Sequence, residues 1–249
     1  MRTAPTLGII GAGAFSEFCL TSYSRHLPRL KFGGVYDTEV SLAKKLAQKF
    51  SIPRVYSDHQ ELLTDPLIQF LLILTPPNTH YDLTLAGLKA GKHILVEKPI
   101  AFTPTQARQL IGEAQKRNLQ LGANLVLRFH PFHRQLRKLA ASKKVGSLRQ
   151  IATTALLAEY PQDHWYWQPA ISGGFFLNTY CHFLDLYDFV VGAPAKRLYS
   201  AGSEDYGRTI IANFPKASAT LTVNLHTSNA GESVRTIYAF EKATVTTEG

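Results

Sequence analysis

Between Thr6 and about Ala123, short apolar runs alternate with amphipathic stretches, the arrangement required of a parallel sheet covered by helices on both faces. Residues 7–10, 32–36, 70–74 and 93–96 predict strands. Between them, residues 40–50 carry Leu42, Leu46 and Phe50 on one helical stripe, and residues 81–89 place Leu85 and Leu88 alike. Thr103-Pro104 predicts a capped start for a helix over 105–117. Beyond about Asn124 the period changes: a basic helix over 133–142 precedes β-rich runs at 148–157, 209–214, 219–226 and 234–240, interrupted by one helix at 176–191. Turn residues at Asn213-Phe214-Pro215-Lys216 and Asn229-Ala230-Gly231 separate alternating runs, as in an antiparallel sheet. The expected fold class is therefore α/β, with a doubly wound parallel sheet over residues 1–123 and an α+β domain with a mostly antiparallel sheet over 124–249.

Composition narrows the function classes. At 249 residues and 45% hydrophobic content the chain can bury a substantial core, and its longest wholly apolar stretch, residues 70–74, is too short to cross a bilayer. Met1-Arg2-Thr3 leads into a strand-like run and glycines and not a signal-peptide core, so the expected setting is the cytoplasm. Cys19 and Cys181 have neither close pairing nor zinc-ligand spacing, which leaves two packed, reduced thiols and no metal site. The net charge of +9 is scattered, with Lys44-Lys45 and Lys143-Lys144 reading as solvated helix faces, so no nucleic-acid partner is expected. A phosphate-bearing cofactor or an anionic substrate suits the positive balance.

The first predicted strand runs into Gly11-Ala12-Gly13-Ala14-Phe15-Ser16 and then a helix, the setting that gives a glycine-rich turn its meaning. Gly11 makes the tight turn and Gly13 lets a pyrophosphate approach the helix N-terminus, while Ser16 takes the third, packing position. Asp37 ends the second strand 26 residues after Gly11, where a carboxylate accepts the adenosine ribose hydroxyls. Its rival reading is a turn or helix-capping aspartate. No arginine follows it as far as Val40, which favours NAD, with NADP left open by Lys44 and Lys45.

Two later strand ends carry polar chemistry, and ligands gather at the carboxyl ends of parallel strands. Thr75-Pro76-Pro77-Asn78-Thr79-His80 is a proline-stiffened loop in which His80 serves either ligand contact or simple rigidity. Glu97-Lys98-Pro99 presents a lysine that can hydrogen-bond a substrate hydroxyl or carbonyl and exchange a proton. Further on, Gly173-Gly174 opens a helical run in which Asn178, His182 and Asp185 share one face, with His182 as a proton acceptor and Asp185 as its possible orienting group. The alternative is a buried histidine satisfied on an amphipathic helix.

These motifs together resemble the glucose-fructose oxidoreductase, inositol dehydrogenase and MocA family over essentially the whole chain. The resemblance implies an N-terminal Rossmann domain and a C-terminal open-faced sheet used for substrate binding and homo-oligomer formation. It further implies NAD(P)-dependent hydride transfer to or from a sugar- or polyol-like small-molecule substrate. Lys98 and His182 are then the catalytic pair, and Gly11, Ala12, Gly13, Ala14, Phe15, Asp37, Thr75, Pro76, Asn78, His80, Glu97 and Lys98 line the cofactor. Arg128, Asn178, Trp165, Tyr160 and His164 are the substrate-side candidates. Asn178 stands where members with a dehydrogenase site carry aspartate, Tyr166 where many carry arginine, and the chain stops at Gly249, short of a typical member's final strands and helix. The departures keep a second reading in view, a catalytically silent dinucleotide-binding regulator.

Overall fold

The computed structural model describes residues 6–157, 163–203, 207–224 and 232–249, and it divides into two compact units, Met1–Asn124 with Ala170–Gly173, and Leu125–Pro169 with Gly174–Gly249. The first unit runs β1 (Thr6–Ile10), α1 (Ala14–His26), β2 (Lys31–Tyr36), α2 (Val40–Phe50), α3 (His59–Thr64), β3 (Phe70–Ile73), α4 (His80–Lys89), β4 (His93–Val96), α5 (Pro104–Lys116) and β5 (Leu121–Ala123). Its strands are parallel in the order β2-β1-β3-β4-β5, the doubly wound arrangement expected. Side-chain alternation sorts the core onto two faces. Leu7, Ile9 and Leu72 pack with Leu20 of α1 and Ala43, Leu46 and Ala47 of α2. Ile10, Leu71, Ile73, Ile94 and Val96 pack with Leu62, Leu63, Leu88 and Leu110 of α3, α4 and α5.

Thr103 caps α5 as expected: its hydroxyl accepts from Gln106 N at 3.2 Å, the Gln106 carboxamide accepts from Thr103 N at 3.3 Å, and Pro104 fills the first helical position. The stripe on α2 is a correction. Its buried positions are Ala43, Leu46 and Ala47 while Leu42 is exposed, because two alanines let the helix approach the sheet closely on the neighbouring face.

The second unit contains α6 (Pro131–Ser142), β6 (Leu148–Leu156), the 17-residue α8 (Phe175–Val191), β7 (Arg197–Ser203), β8 (Gly207–Asn213), β9 (Ser218–Asn224), β10 (Ser233–Phe240) and β11 (Thr244–Glu248), while the short turn α7 (Pro169–Ser172) falls, but for Pro169, in the first. The sheet order is β11-β10-β6-β9-β8-β7, antiparallel throughout except for β6 against β9. Ala219, Leu221 and Val223 of β9 alternate into a core with Ile151, Ala155, Tyr238 and, from the helices, Leu136, Tyr187 and Val190. The expected run 219–226 ends at Asn224, and its last two residues and the turn Asn229-Ala230-Gly231 lie outside the described residues.

Lys92 shows how the first unit closes below its strands. Its side chain is buried, and Nζ donates to the Asp65 and Ile68 carbonyls, both at 2.7 Å, so the ammonium stitches the end of α3 to the start of β4. Asp65 in turn accepts from Tyr56 Oη and Arg54 Nη1, each at 2.6 Å, and the Tyr56 hydroxyl is the first of the groups that hold its carboxyl below the usual range. Lys92→Met leaves two buried carbonyls without their donor and is expected to cost about 2–3 kcal/mol, read as a lower urea midpoint at unchanged slope.

Candidate functional site

At the end of β1 the backbone of Gly11 takes φ 101°. A Cβ there would lie 2.7 Å from the Leu74 carbonyl oxygen, so both the conformation and the space demand glycine. Gly11 N donates to Tyr36 O at 2.9 Å, and the buried Ser16 hydroxyl donates to Gly11 O at 2.8 Å, so the residue in the third, packing position also braces the turn. Gly13 is different: a Cβ on it would meet nothing within 4 Å. Its bareness relieves no internal contact and keeps clear the space in front of α1, a helix whose N-cap, Gly13, offers no side-chain cap.

Asp37 lies against this turn. Its Oδ2 accepts from Ala12 N at 2.6 Å and its Oδ1 from Glu39 N at 2.8 Å. The cap of α2 is Glu39, which accepts from Ser41 N, so Asp37 is not that cap, while its contact with Glu39 N two residues on is the turn contact of the rival reading. A carboxylate fixed beside a glycine turn, with open space at an uncapped helix start, is a donor and acceptor set that fits a dinucleotide's ribose and pyrophosphate. Phe15, next along, is half exposed and stacks on Phe18 with ring centroids 5.9 Å apart.

The loops after β3 and β4 are tied together by His80. Its ring is buried, with Nδ1 2.7 Å from Pro99 O and Nε2 2.8 Å from Thr75 O. Of the two roles expected of His80, ligand contact or loop rigidity, the ring's contacts are those of a brace between two loops, since both nitrogens face main-chain carbonyls. A neutral imidazole donates to only one of these at a time, yet burial outweighs both carbonyls and holds its pKa below the ordinary histidine value. Thr75 and Thr79 hydroxyls meet at 2.6 Å, Pro76 and Asn78 are exposed, and Pro77 is buried at the start of a single 3-10 turn, Pro77–Thr79.

Glu97 is buried at the end of β4. Its Oε1 accepts from the Asn124 carboxamide and its Oε2 from Lys98 N at 3.2 Å. Burial pushes its carboxyl above the usual range, opposed by the Asn124 hydrogen bond, the Lys98 amide and the Lys98 charge. Lys98 itself is half-buried, and the Lys98–Pro99 peptide is cis. The Cys19 thiol, buried beneath, is pushed up to about 12 by burial and by Glu97, as befits a packed, inert thiol.

In the second unit Arg128 sits in the 3-10 turn Val126–Phe129 and grips Asp185 of α8 as a fork, Nε to Oδ2 at 2.7 Å and Nη2 to Oδ1. Asp185, the expected orienting group for His182, is held by Arg128 through both of its oxygens. The ring of Phe189 carries Arg128 5.6 Å from its centroid and Arg137 at 4.5 Å. Asn178 is buried and His182 half-buried, both on α8, and the Cys181 thiol donates to Asn178 O at 3.2 Å. His164, Trp165 and Tyr166 form a stack in which the Trp165 and Tyr166 centroids are 4.4 Å apart, and His164 Nδ1 accepts from Tyr166 N. Tyr160 lies outside the described residues. Asn124 and Arg137 were not singled out from the sequence: Asn124 follows a strand of only three residues, and Arg137 is one of several cations on a basic helix.

Fold and site together define a two-unit chain whose first half has the glycine turn and strand-end carboxylate of a dinucleotide-binding domain. The family model described as oxidoreductase family, NAD-binding Rossmann fold, matches residues 6–125, and the GFO/IDH/MocA C-terminal domain matches residues 133–245. The chain belongs to the Gfo/Idh/MocA oxidoreductase family. Among curated relatives it is 30% identical over 240 residues to trans-1,2-dihydrobenzene-1,2-diol dehydrogenase of Bos taurus, covering 89% of this chain and 69% of the relative. It is also 30% identical over 207 residues to D-glucoside 3-dehydrogenase of Escherichia coli (strain K12), covering 82% and 59%. Against four such relatives, including that glucoside dehydrogenase, the match spans between 56% and 59% of their length. The solved structure of GenD2 from gentamicin A biosynthesis in complex with NAD superposes with a TM-score of 0.89 at 23% identity, covering 100% of this chain and 73% of that one. Scyllo-inositol dehydrogenase from Lactobacillus casei, with bound NAD(H) and scyllo-inositol, gives 0.87 at 18%, covering 98% and 76%. No helix among the described residues is long and apolar enough to cross a membrane.

His80 gives a pH test of the loop brace. With its folded pKa below the unfolded value of about 6.5, the unfolded chain binds a proton that the folded one refuses, so stability falls as pH drops below about 6.5 and is unaffected above it. In urea titrations across this range, His80→Gln is expected to flatten that slope; an unchanged slope would place the acid sensitivity elsewhere.

Proposed function

We propose that this protein is an NAD-dependent dehydrogenase or reductase acting on a CH–OH group of a small sugar- or polyol-like substrate. The observation that carries the reading is the Asp37 carboxylate held by Ala12 N and Glu39 N against the glycine turn. Its fixed negative charge accepts a ribose diol and repels a 2′-phosphate, which favours NAD over NADP. The residues that would hold the cofactor are Gly11 to Phe15, Asp37, and the loop around Thr75, Pro76 and Asn78, with Glu97 and Lys98 at the next strand end. The nicotinamide, when bound, supplies the hydride acceptor or donor.

The chain's own residues hold and move the proton. His182 takes the hydroxyl proton at its imidazole in the oxidative direction, and Lys98 assists by its charge and its donor hydrogens. Arg128 and Asp185 fix each other, so Arg128 serves the substrate side as a positioned pair. Asn178, Trp165, His164 and Tyr160 complete the substrate-side set. Relatives named as a glucoside dehydrogenase and a myo-inositol dehydrogenase support the substrate class. A cytoplasmic setting and self-assembly through the second unit's sheet belong to the same reading, the latter supported by the exposed Leu198, Tyr199 and Ile211. The silent-regulator reading is favoured by one feature, a buried Asn178 that brings no carboxylate to His182's helix face.

A screen of sugars and polyols read at the reduced-nicotinamide absorbance separates the two. Turnover is expected with NAD, falling about 10²-fold or more in Lys98→Ala and in His182→Ala with NAD affinity retained. Asp37→Ala is expected to weaken NAD binding by about tenfold and to narrow the preference over NADP, as read by calorimetry. Tight NAD binding without turnover on any substrate would leave the regulator.

A further inference from the structure

Asn124 holds the end of β4 twice. Its main-chain N–H donates to Val96 O at 2.9 Å, and its carboxamide donates to Glu97 Oε1. The two residues it grips stand immediately before Lys98, whose own amide donates to the other Glu97 oxygen at 3.2 Å. A buried carboxylate is costly unless both oxygens are satisfied, and here one is satisfied by Asn124 and the other by the residue whose placement matters. We propose that Asn124 is a positioning residue for Lys98, acting through the Glu97 carboxylate that it holds between the ends of β4 and β5. The proposal rests on the reading of Lys98 as an acid/base group.

Burial raises the Glu97 carboxyl above its usual range, and the Asn124 and Lys98 contacts act against that shift. From α1, Cys19 and Tyr23 face Glu97, and both are pushed up to about 12, Cys19 by burial first and Glu97 second, so neither competes as a charge near neutrality. From α4, His80 feels the Lys98 charge, and burial keeps it neutral. Among the described residues, the charge of opposite sign that acts on Glu97 is that of Lys98. Removing the Asn124 donor makes the charged form of Glu97 less favourable, and Glu97→Gln removes the charge outright. In both cases Lys98 loses a neighbouring negative charge and holds its proton less firmly.

The test uses the cofactor-free protein: competitive acylation of Lys98 by acetic anhydride across pH, read by peptide mass spectrometry, in Asn124→Ala, Glu97→Gln and the double variant. Lys98 is expected to acylate about threefold to tenfold faster near pH 8 in each single variant, and the double variant is expected to match Glu97→Gln alone, since the two act on one path. In turnover assays kcat is expected to fall while NAD affinity changes less than about twofold. If Asn124→Ala does not fold, as read by thermal melting, Asn124→Ser retains a donor hydroxyl and is expected to lie between wild type and Glu97→Gln. Acylation unmoved in folded Glu97→Gln, or additive effects in the double variant, overturns the proposal. Full turnover in Lys98→Ala overturns instead the acid/base reading on which it rests, and the two failures are told apart because acylation is measured without turnover.

Discussion

Where the parallel strands of the first unit stop, their main-chain groups lose ladder partners while remaining packed against a core that water does not reach. Buried amides and carbonyls must be paired, and side chains do the pairing. Asp37 collects amides from Ala12 and Glu39. His80 sits between the Thr75 and Pro99 carbonyls, and Glu97 takes the Lys98 amide while Asn124 supports it from the neighbouring strand. The groups that end the strands are therefore also the groups that carry charge and hydrogen-bonding capacity to the edge of the sheet where ligands of this architecture bind. Gly11 completes the arrangement, because only its missing Cβ lets the end of β1 come within contact of Leu74.

The second unit meets a similar constraint with ions. Arg128 is anchored by a fork to Asp185 and lies over Phe189, whose ring also carries Arg137. One carboxylate between helix α8 and a short turn does more than neutralise a cation: it sets the direction of a guanidinium that has five donors and no other way to choose among them. Position 178 on the same helix is a buried asparagine, so it brings an amide and not a carboxylate to α8.

The first four strands of the first unit were legible because their apolar runs are short, complete and separated by helical periods. The capped start of α5 was legible because Thr103, Pro104 and Gln106 act within one turn. What escaped is what depends on distance or weak pattern. β5 has three residues, α3 six, and the edge strand β7 is exposed along most of its length, so none of them offers a periodic signal. The buried face of α2 was displaced because Ala43 and Ala47 carry little hydrophobic weight yet pack closest. At the site, the glycine turn could be read because its demand is local to the backbone. The partners of Asp185, Glu97 and His80 could not, since they lie 57, 27 and 19 residues away and are chosen by topology.

The sheet of the second unit places β6 between β10 and β9, and β6 runs parallel to β9. Its innermost strand is thus the first to leave the ribosome, while both neighbours arrive after more than 60 residues of further synthesis, with α8 in between. Such wide sequence separation makes closure of the sheet slow, and an apolar strand waits in the interval with two unpaired edges. Until those neighbours arrive, Ile151 and Ala155, which the finished sheet buries completely, have no strand beside them.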